Sequence, residues 1–133
     1  MEAALGSHKY GQLSYHVIII TKYRRPALKG LESEVRLVLS HIALENSMRM
    51  FSIEVASDHV HMFIGIKRIE DTSKIFPYFK GKSAYLLFKS HPELRRELRK
   101  GHLWSRGGFI RSVGSVTEES IRKYIEDSKH HDL

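Results

Sequence analysis

Residues 57–65, "SDHVHMFIG", place two imidazoles one residue apart within a short apolar run. Consecutive side chains of a β-strand point to opposite faces. His59 and His61 would therefore share one face with Phe63 and Gly65, while Val60, Met62, Ile64 and Ile66 would share the other. The apolar set has the character of a core face. It leaves the two imidazoles side by side, where each can offer one nitrogen to a single cation. The plainer alternative is a pair of packed or solvated histidines, which a chain with nine histidines readily produces. The chain has no cysteine, so any metal must sit on imidazole, carboxylate or amide ligands.

A second candidate lies near the C-terminus, in "IRKYIEDSKHH" (121–131). On a helix Tyr124 neighbours Asp127, Ser128 and His131, with Ile121 and Ile125 toward the core. A tyrosine at such a margin is ordinarily a packing residue with its hydroxyl in water. Its phenol titrates at about 10 and is a weak nucleophile at neutral pH. Beside a divalent cation and a phosphate it could attack phosphorus once its proton is removed.

The elements that must position these groups follow from patterning. "YHVIIITKY" (15–23) is rich in β-branched residues and reads as a buried strand. Residues 31–46 carry Leu31, Val35, Val38 and Ile42 at helical spacing and read as an amphipathic helix. Strands are expected over 50–56 and 59–66, joined by the tight Ser57-Asp58 connection. A second helix is expected over 72–91, kinked or opened by Pro77 and Gly81 and ended by Pro92. Residues 103–114 read as a fourth strand, with Gly107-Gly108 marking a bulge or close approach. A final helix starts at the Ser115 and Glu118 capping box. The order is β-α-β-β-α-β plus a C-terminal helix, an α+β ferredoxin-like antiparallel sheet. That architecture hosts many functions and selects none.

The chain has 133 residues, 41% of them hydrophobic, which suits one domain spanning 1–133 with its own core. The opening residues lack a basic segment followed by an apolar one, so no signal peptide is read. The run "VIII" is too short to cross a bilayer, and no membrane partner is expected. Absence of cysteine suits a reducing cytoplasm. A net charge of +7 favours a polyanionic partner, or merely keeps the chain soluble.

Several stretches, taken in order, carry a family resemblance: "TKYRRPAL" after the first strand, "SDHVHMFIG", "KGKSAYL", and "LWSRGGFIRSVGSVTEESIRKYIED". With them the chain resembles the single-tyrosine HUH transposases, the TnpA type, of small bacterial and archaeal insertion sequences. The resemblance covers nearly the whole chain, and HUH corresponds to His59-Val60-His61. It implies cleavage and rejoining of single-stranded DNA at the element's hairpin ends. Tyr124 would become linked to the 5′ phosphate, and His59 and His61 would hold Mg²⁺ or Mn²⁺. It also implies a homodimer, because each chain supplies one such tyrosine. Family members commonly carry a glutamine four residues after the tyrosine as the third protein ligand; here that position is Ser128. A hydroxyl is a short, weak ligand, so Asp127 is the substitute its chemistry favours, with water as the alternative.

The basic residues then acquire roles. Lys22, Arg24, Arg25, Lys80, Lys82, Arg106 and Arg111 are expected to contact phosphates. Trp104, Phe109 and Tyr23 are candidates for stacking on an unpaired base, although core packing is the commoner use of each. Tyr78 and Tyr85, seven apart on one helix, are expected in the core. Two other readings remain: a hairpin- or single-strand-binding protein without catalysis, such as a decayed transposase, and a hydrolase in which water is the nucleophile.

Overall fold

A computed structural model describes residues 13–98, 101–113 and 123. The β-branched run of the first strand, β1 (Ser14–Thr21), lies in the middle of a four-stranded sheet with β2 (Arg49–Val55), β3 (His59–Gly65) and β4 (Trp104–Ser112). The spatial order is β2-β3-β1-β4, and every neighbouring pair is antiparallel. The first crossover is α1 (Glu32–Glu45). The second runs through a 3₁₀ segment (Ile69–Lys74) and a π-helical turn (Pro77–Gly81) into α2 (Lys82–Ser90), followed by α3 (Pro92–Glu97). This is the expected α+β, ferredoxin-like order of strands and helices. The expected C-terminal helix from Ser115 onward falls outside the described residues, apart from Lys123.

Register gives the two sheet faces different chemistry. Val17 pairs with Met62 and Ile19 with Val60, while Ile53 pairs with Met62 from the other side. These residues form one cluster with Val35, Leu39 and Ile42 of α1 and with Phe79 and Leu87 of the second crossover. The helices therefore close over this face, and its cohesion comes from apolar area withdrawn from water.

Local chemistry explains the element ends. α1 closes in a Schellman motif: Met48 N–H donates to Ala43 O (2.8 Å) and Ser47 N–H to Leu44 O (3.2 Å). Ser47 takes the left-handed conformation (φ 57°) usually reserved for glycine there. Pro92 does end α2, but it also occupies the first turn of α3. A ring that cannot continue one helix is preorganised to begin another.

The last strand meets the second crossover at two places. Trp104 is buried, and its Nε1–H donates to the Ser83 hydroxyl (2.8 Å), which in turn donates to Phe79 O. Gly108 lies where a Cβ would come within 2.8 Å of both Ile18 O and the Phe76 ring. The expected close approach at the paired glycines is thus real, and the register shifts between Ile19 and Thr21 beside it.

Candidate metal and nucleic-acid site

His59 and His61 emerge from β3 on the face opposite the apolar cluster, as alternation requires. His61 is flanked by Ile18 of β1 and Glu54 of β2, and His59 by Ile20. Each histidine is only 7% exposed. Their Nε2 atoms are buried and have no hydrogen-bond partner among the described residues. An unsatisfied buried acceptor costs about 1–3 kcal/mol. Two of them side by side are therefore an arrangement that a bound electrophile would relieve.

The tight Ser57-Asp58 connection fixes the tautomer of one imidazole. His59 Nδ1–H donates to Asp58 Oδ1 (2.8 Å), leaving the lone pair on Nε2. That hydrogen bond, aided by the nearby Arg24, holds the Asp58 carboxyl below its ordinary range. Arg24 Nε donates to Asp58 Oδ2 at 3.3 Å. Burial lowers the His61 pKa, opposed by the charge of Glu54 and reinforced by His59. Neutral imidazoles with bare Nε2 atoms are the form that can act as ligands to a cation.

His16 is the neighbour that sequence reasoning missed. Its ring lies on His61, with centroids 3.8 Å apart and planes tilted by 41°. Burial, then His61, then Arg111 lower its pKa to about 4. The signal was present in the alternation of β1, which puts His16 on the face of Ile18 and Ile20, but only the β1–β3 register brings that face to His61. Glu54 was missed for the same reason, through the β2–β3 register, whereas Asp58 adjoins His59 in sequence and was read only as part of the turn. Among the described residues no group of three or more histidine, aspartate or glutamate side chains is placed to share an ion. Tyr124, Asp127 and Ser128 lie outside the described residues.

The predicted phosphate contacts separate into distinct settings. Lys22, Arg24 and Arg25 follow β1 in a 3₁₀ turn (Lys22–Arg24), so β1 ends at Thr21 and not at Tyr23 as expected. Tyr23 and Arg24 both have left-handed backbones (φ 59° and 53°). Arg111 is exposed and pairs across the sheet with His16, and Arg106 is exposed on the same strand. Lys82 instead lines a groove with Tyr78, Tyr85 and Glu45 beside α1.

Lys80 has a different use from the expected one. Its ammonium donates to the carbonyls of Ser105 (3.0 Å), Arg106 (3.0 Å) and Gly107 (2.8 Å), and sits 4.3 Å from the Phe76 ring centre. Burial lowers its pKa. The charge is turned inward to shape the first half of β4, so the geometry gives no support to a direct phosphate contact.

The aromatics divide as well. Trp104 is in the core, as the packing expectation had it. Phe109 (45% exposed) and Tyr23 (66%) are not, and neither is Tyr85 (61%). The π-helical turn (Pro77–Gly81) contains Tyr78 and leads into α2, which carries Tyr85. The two tyrosines still line one groove with Glu45 and Lys82, but that groove is open, so Tyr85 stays out of the core.

Residues 9–128 match the family described as IS200-like transposases. The chain is 34% identical over 120 residues to the ISDra2 transposase TnpA of Deinococcus radiodurans, covering 90% of this chain and 85% of that protein. It superposes with a TM-score of 0.70 on a solved structure described as a transposase from the same organism. That match has 30% identity and covers 86% of this chain and 89% of the other. A REP-associated tyrosine transposase bound to a REP hairpin shares the fold at a TM-score of 0.59 and 12% identity, over 92% of this chain and 70% of its own. No helix among the described residues is long and apolar enough to cross a membrane. On these matches, and on a fold that agrees with them, the chain belongs to the IS200-like transposase family.

Proposed function

We propose that this transposase cuts and rejoins single-stranded DNA through a covalent link to Tyr124, at a site organised by His59 and His61. The phenolic oxygen attacks the scissile phosphorus and its proton passes to solvent. The bond to the 3′ oxygen breaks, and that oxygen takes up a proton to leave as a 3′-OH. The 5′ phosphate stays on the tyrosine, so the bond energy is conserved and a second 3′-OH can reverse the attack. A bound Mg²⁺ or Mn²⁺ would supply the positive charge that polarises the phosphate and offsets its developing charge. His59 and His61 present the ligand nitrogens, Asp58 holds the His59 ring in the tautomer that exposes Nε2, and Asp127 is the favoured third ligand. Arg24 and Arg111 border the site with positive charge suited to the DNA backbone.

The observation that carries this reading is the pair of buried, unpartnered Nε2 atoms, one of them oriented by a carboxylate. Hairpin ends as the substrate, and a homodimer as the acting unit, belong to the same proposal. A relative of the same fold is bound to a hairpin, and one tyrosine per chain serves one cut.

The test is a denaturing gel for a protein–DNA adduct with labelled single-stranded DNA from the element's ends. The adduct is expected with Mg²⁺ or Mn²⁺ and absent in Tyr124→Phe, His59→Ala and His61→Ala. Binding without adduct would leave a DNA-binding protein only. Cleavage without adduct would make water the nucleophile.

A further inference from the structure

The turn after β1 spends backbone strain to hold an aromatic ring in the open. Tyr23 and Arg24, neither of them glycine, are consecutive left-handed residues. Such conformations persist where surrounding contacts impose them, and they concentrate at functional sites. The contacts here are explicit. The Thr21 hydroxyl donates to Arg25 O (2.7 Å), and Thr21 N–H donates to Asp58 O (3.0 Å). Lys22 N–H donates to Leu103 O (2.8 Å), and Arg25 Nη1 reaches Glu97 O (3.4 Å). The side chain that results is not used for packing, since Tyr23 is 66% exposed.

Two further features separate Tyr23 from the other exposed apolar residues. Lys22 Nζ and Arg25 Cζ lie 5.3 and 5.9 Å from its ring centre, near the outer limit of cation–π contact. At that distance they leave the ring largely exposed, and they supply charge for phosphates beside a base laid on it. The turn is also tied to the histidine site, because Arg24 and the His59 ring share the Asp58 carboxylate. Tyr85 is the useful contrast. It has similar exposure and a lysine at a similar distance, Lys89 at 5.9 Å, but sits on α2 with an ordinary helical backbone.

We infer that Tyr23 is a stacking platform for one unpaired base of the DNA strand, placed beside the histidine site by the strained Lys22–Arg24 turn. This rests on the single-strand reading above and adds a specific base-binding residue to it. An aromatic face accepts any base, so the contact would favour unpaired over paired DNA without reading sequence.

The test uses single-stranded oligonucleotides of about 20 nucleotides from the element's ends, each carrying 2-aminopurine at one position, with a blunt duplex as control. With the wild-type protein, fluorescence is expected to be quenched at one unpaired position. Tyr23→Ala is expected to remove that quench and weaken single-strand binding about tenfold or more, with Tyr23→Trp retaining both. Tyr85→Ala should behave as wild type. Tyr23→Gly should relieve the backbone and raise the melting temperature, yet lose the quench, which a merely structural tyrosine would not do.

Unchanged quenching and affinity in Tyr23→Ala would overturn the platform while leaving adduct formation by Tyr124 intact. A position-specific, Tyr23-dependent quench without any adduct would support the platform and sink the cleavage reading. Wild-type protein that binds no single strand would end both.

Discussion

The two faces of the sheet bury side chains for opposite reasons. On one, Val17, Ile19, Val60, Met62 and Ile64 meet Phe79, Leu87 and the apolar stripe of α1, and every contact is satisfied by dispersion and excluded water. On the other, the same strands bury His59 and His61 with their Nε2 atoms unpartnered, against His16 and opposite Glu54. Phe63 is fully buried on that second face yet stands outside the main apolar cluster, packed on Phe51. Burial on the first face stabilises the fold. Burial on the second leaves two imidazole nitrogens without a hydrogen-bond partner among the described residues, the feature on which the proposed cation site rests.

The comparison breaks most visibly when one residue is removed from each side. Phe79→Ala, in the core, should lower stability by about 3–5 kcal/mol in chemical denaturation, taking DNA binding with it. His61→Leu should do the reverse. It should leave metal-free stability within about 1 kcal/mol of wild type, or raise it, because an unsatisfied buried acceptor is removed. Adduct formation should nevertheless be lost. A His61→Leu protein as unstable as Phe79→Ala would show that the histidine face is a structural core after all.

Much of this contrast was legible in the sequence. A spacing of two in "HVHMFIG" separates the faces, and the β-branched run of β1 places it centrally. What was not legible depends on partners distant along the chain. The β-prone "TKY" continues the strand on propensity alone, yet tertiary hydrogen bonds to Asp58 and Leu103 turn it left-handed. Tyr85 was misplaced because the helix face it shares with Tyr78 borders an open groove rather than the core, and helical spacing alone does not say which face is covered.

Lys80 is the clearest instance, since its partners are carbonyls 25 to 27 residues away. It sharpens the comparison by distinguishing charge that shapes β4 from charge proposed to meet DNA. Lys80→Met should cost about 1.5–3 kcal/mol of stability, the worth of hydrogen bonds to a charged group. It should leave the salt dependence of DNA binding unchanged. Arg111→Ala should keep the fold and reduce the slope of log affinity against log salt by about one. Binding titrations across salt concentrations, beside melting curves, check both.

The smallest effect is a pH dependence, and here too the regions differ in sign. His16 titrates at about 4 against an ordinary 6.5, and His61 is lowered as well. The unfolded chain therefore binds these protons first, so stability is full above about 6.5 and falls as pH drops toward 4. His91, on the helical side, is raised, first by its hydrogen bond with Glu34 (2.8 Å) and also by Glu93. Its contribution is present below 6.5 and lost as pH rises through the raised value. Melting temperatures of metal-free His16→Leu should fall less steeply between pH 6.5 and 4 than those of wild type. Superimposable curves would mean that the histidine face does not sense acid.

The central claim is that the unpartnered imidazoles are a cation site, and Mn²⁺ binding tests it without requiring catalysis. Free Mn²⁺ gives a sharp paramagnetic resonance signal that is lost on binding. Titrated into the protein near neutral pH, Mn²⁺ should lose one equivalent of that signal per chain with wild type. It should lose none with His59→Ala or His61→Ala, each still folded by circular dichroism. Equal binding by wild type and both variants, or no binding by any of them, would contradict the account.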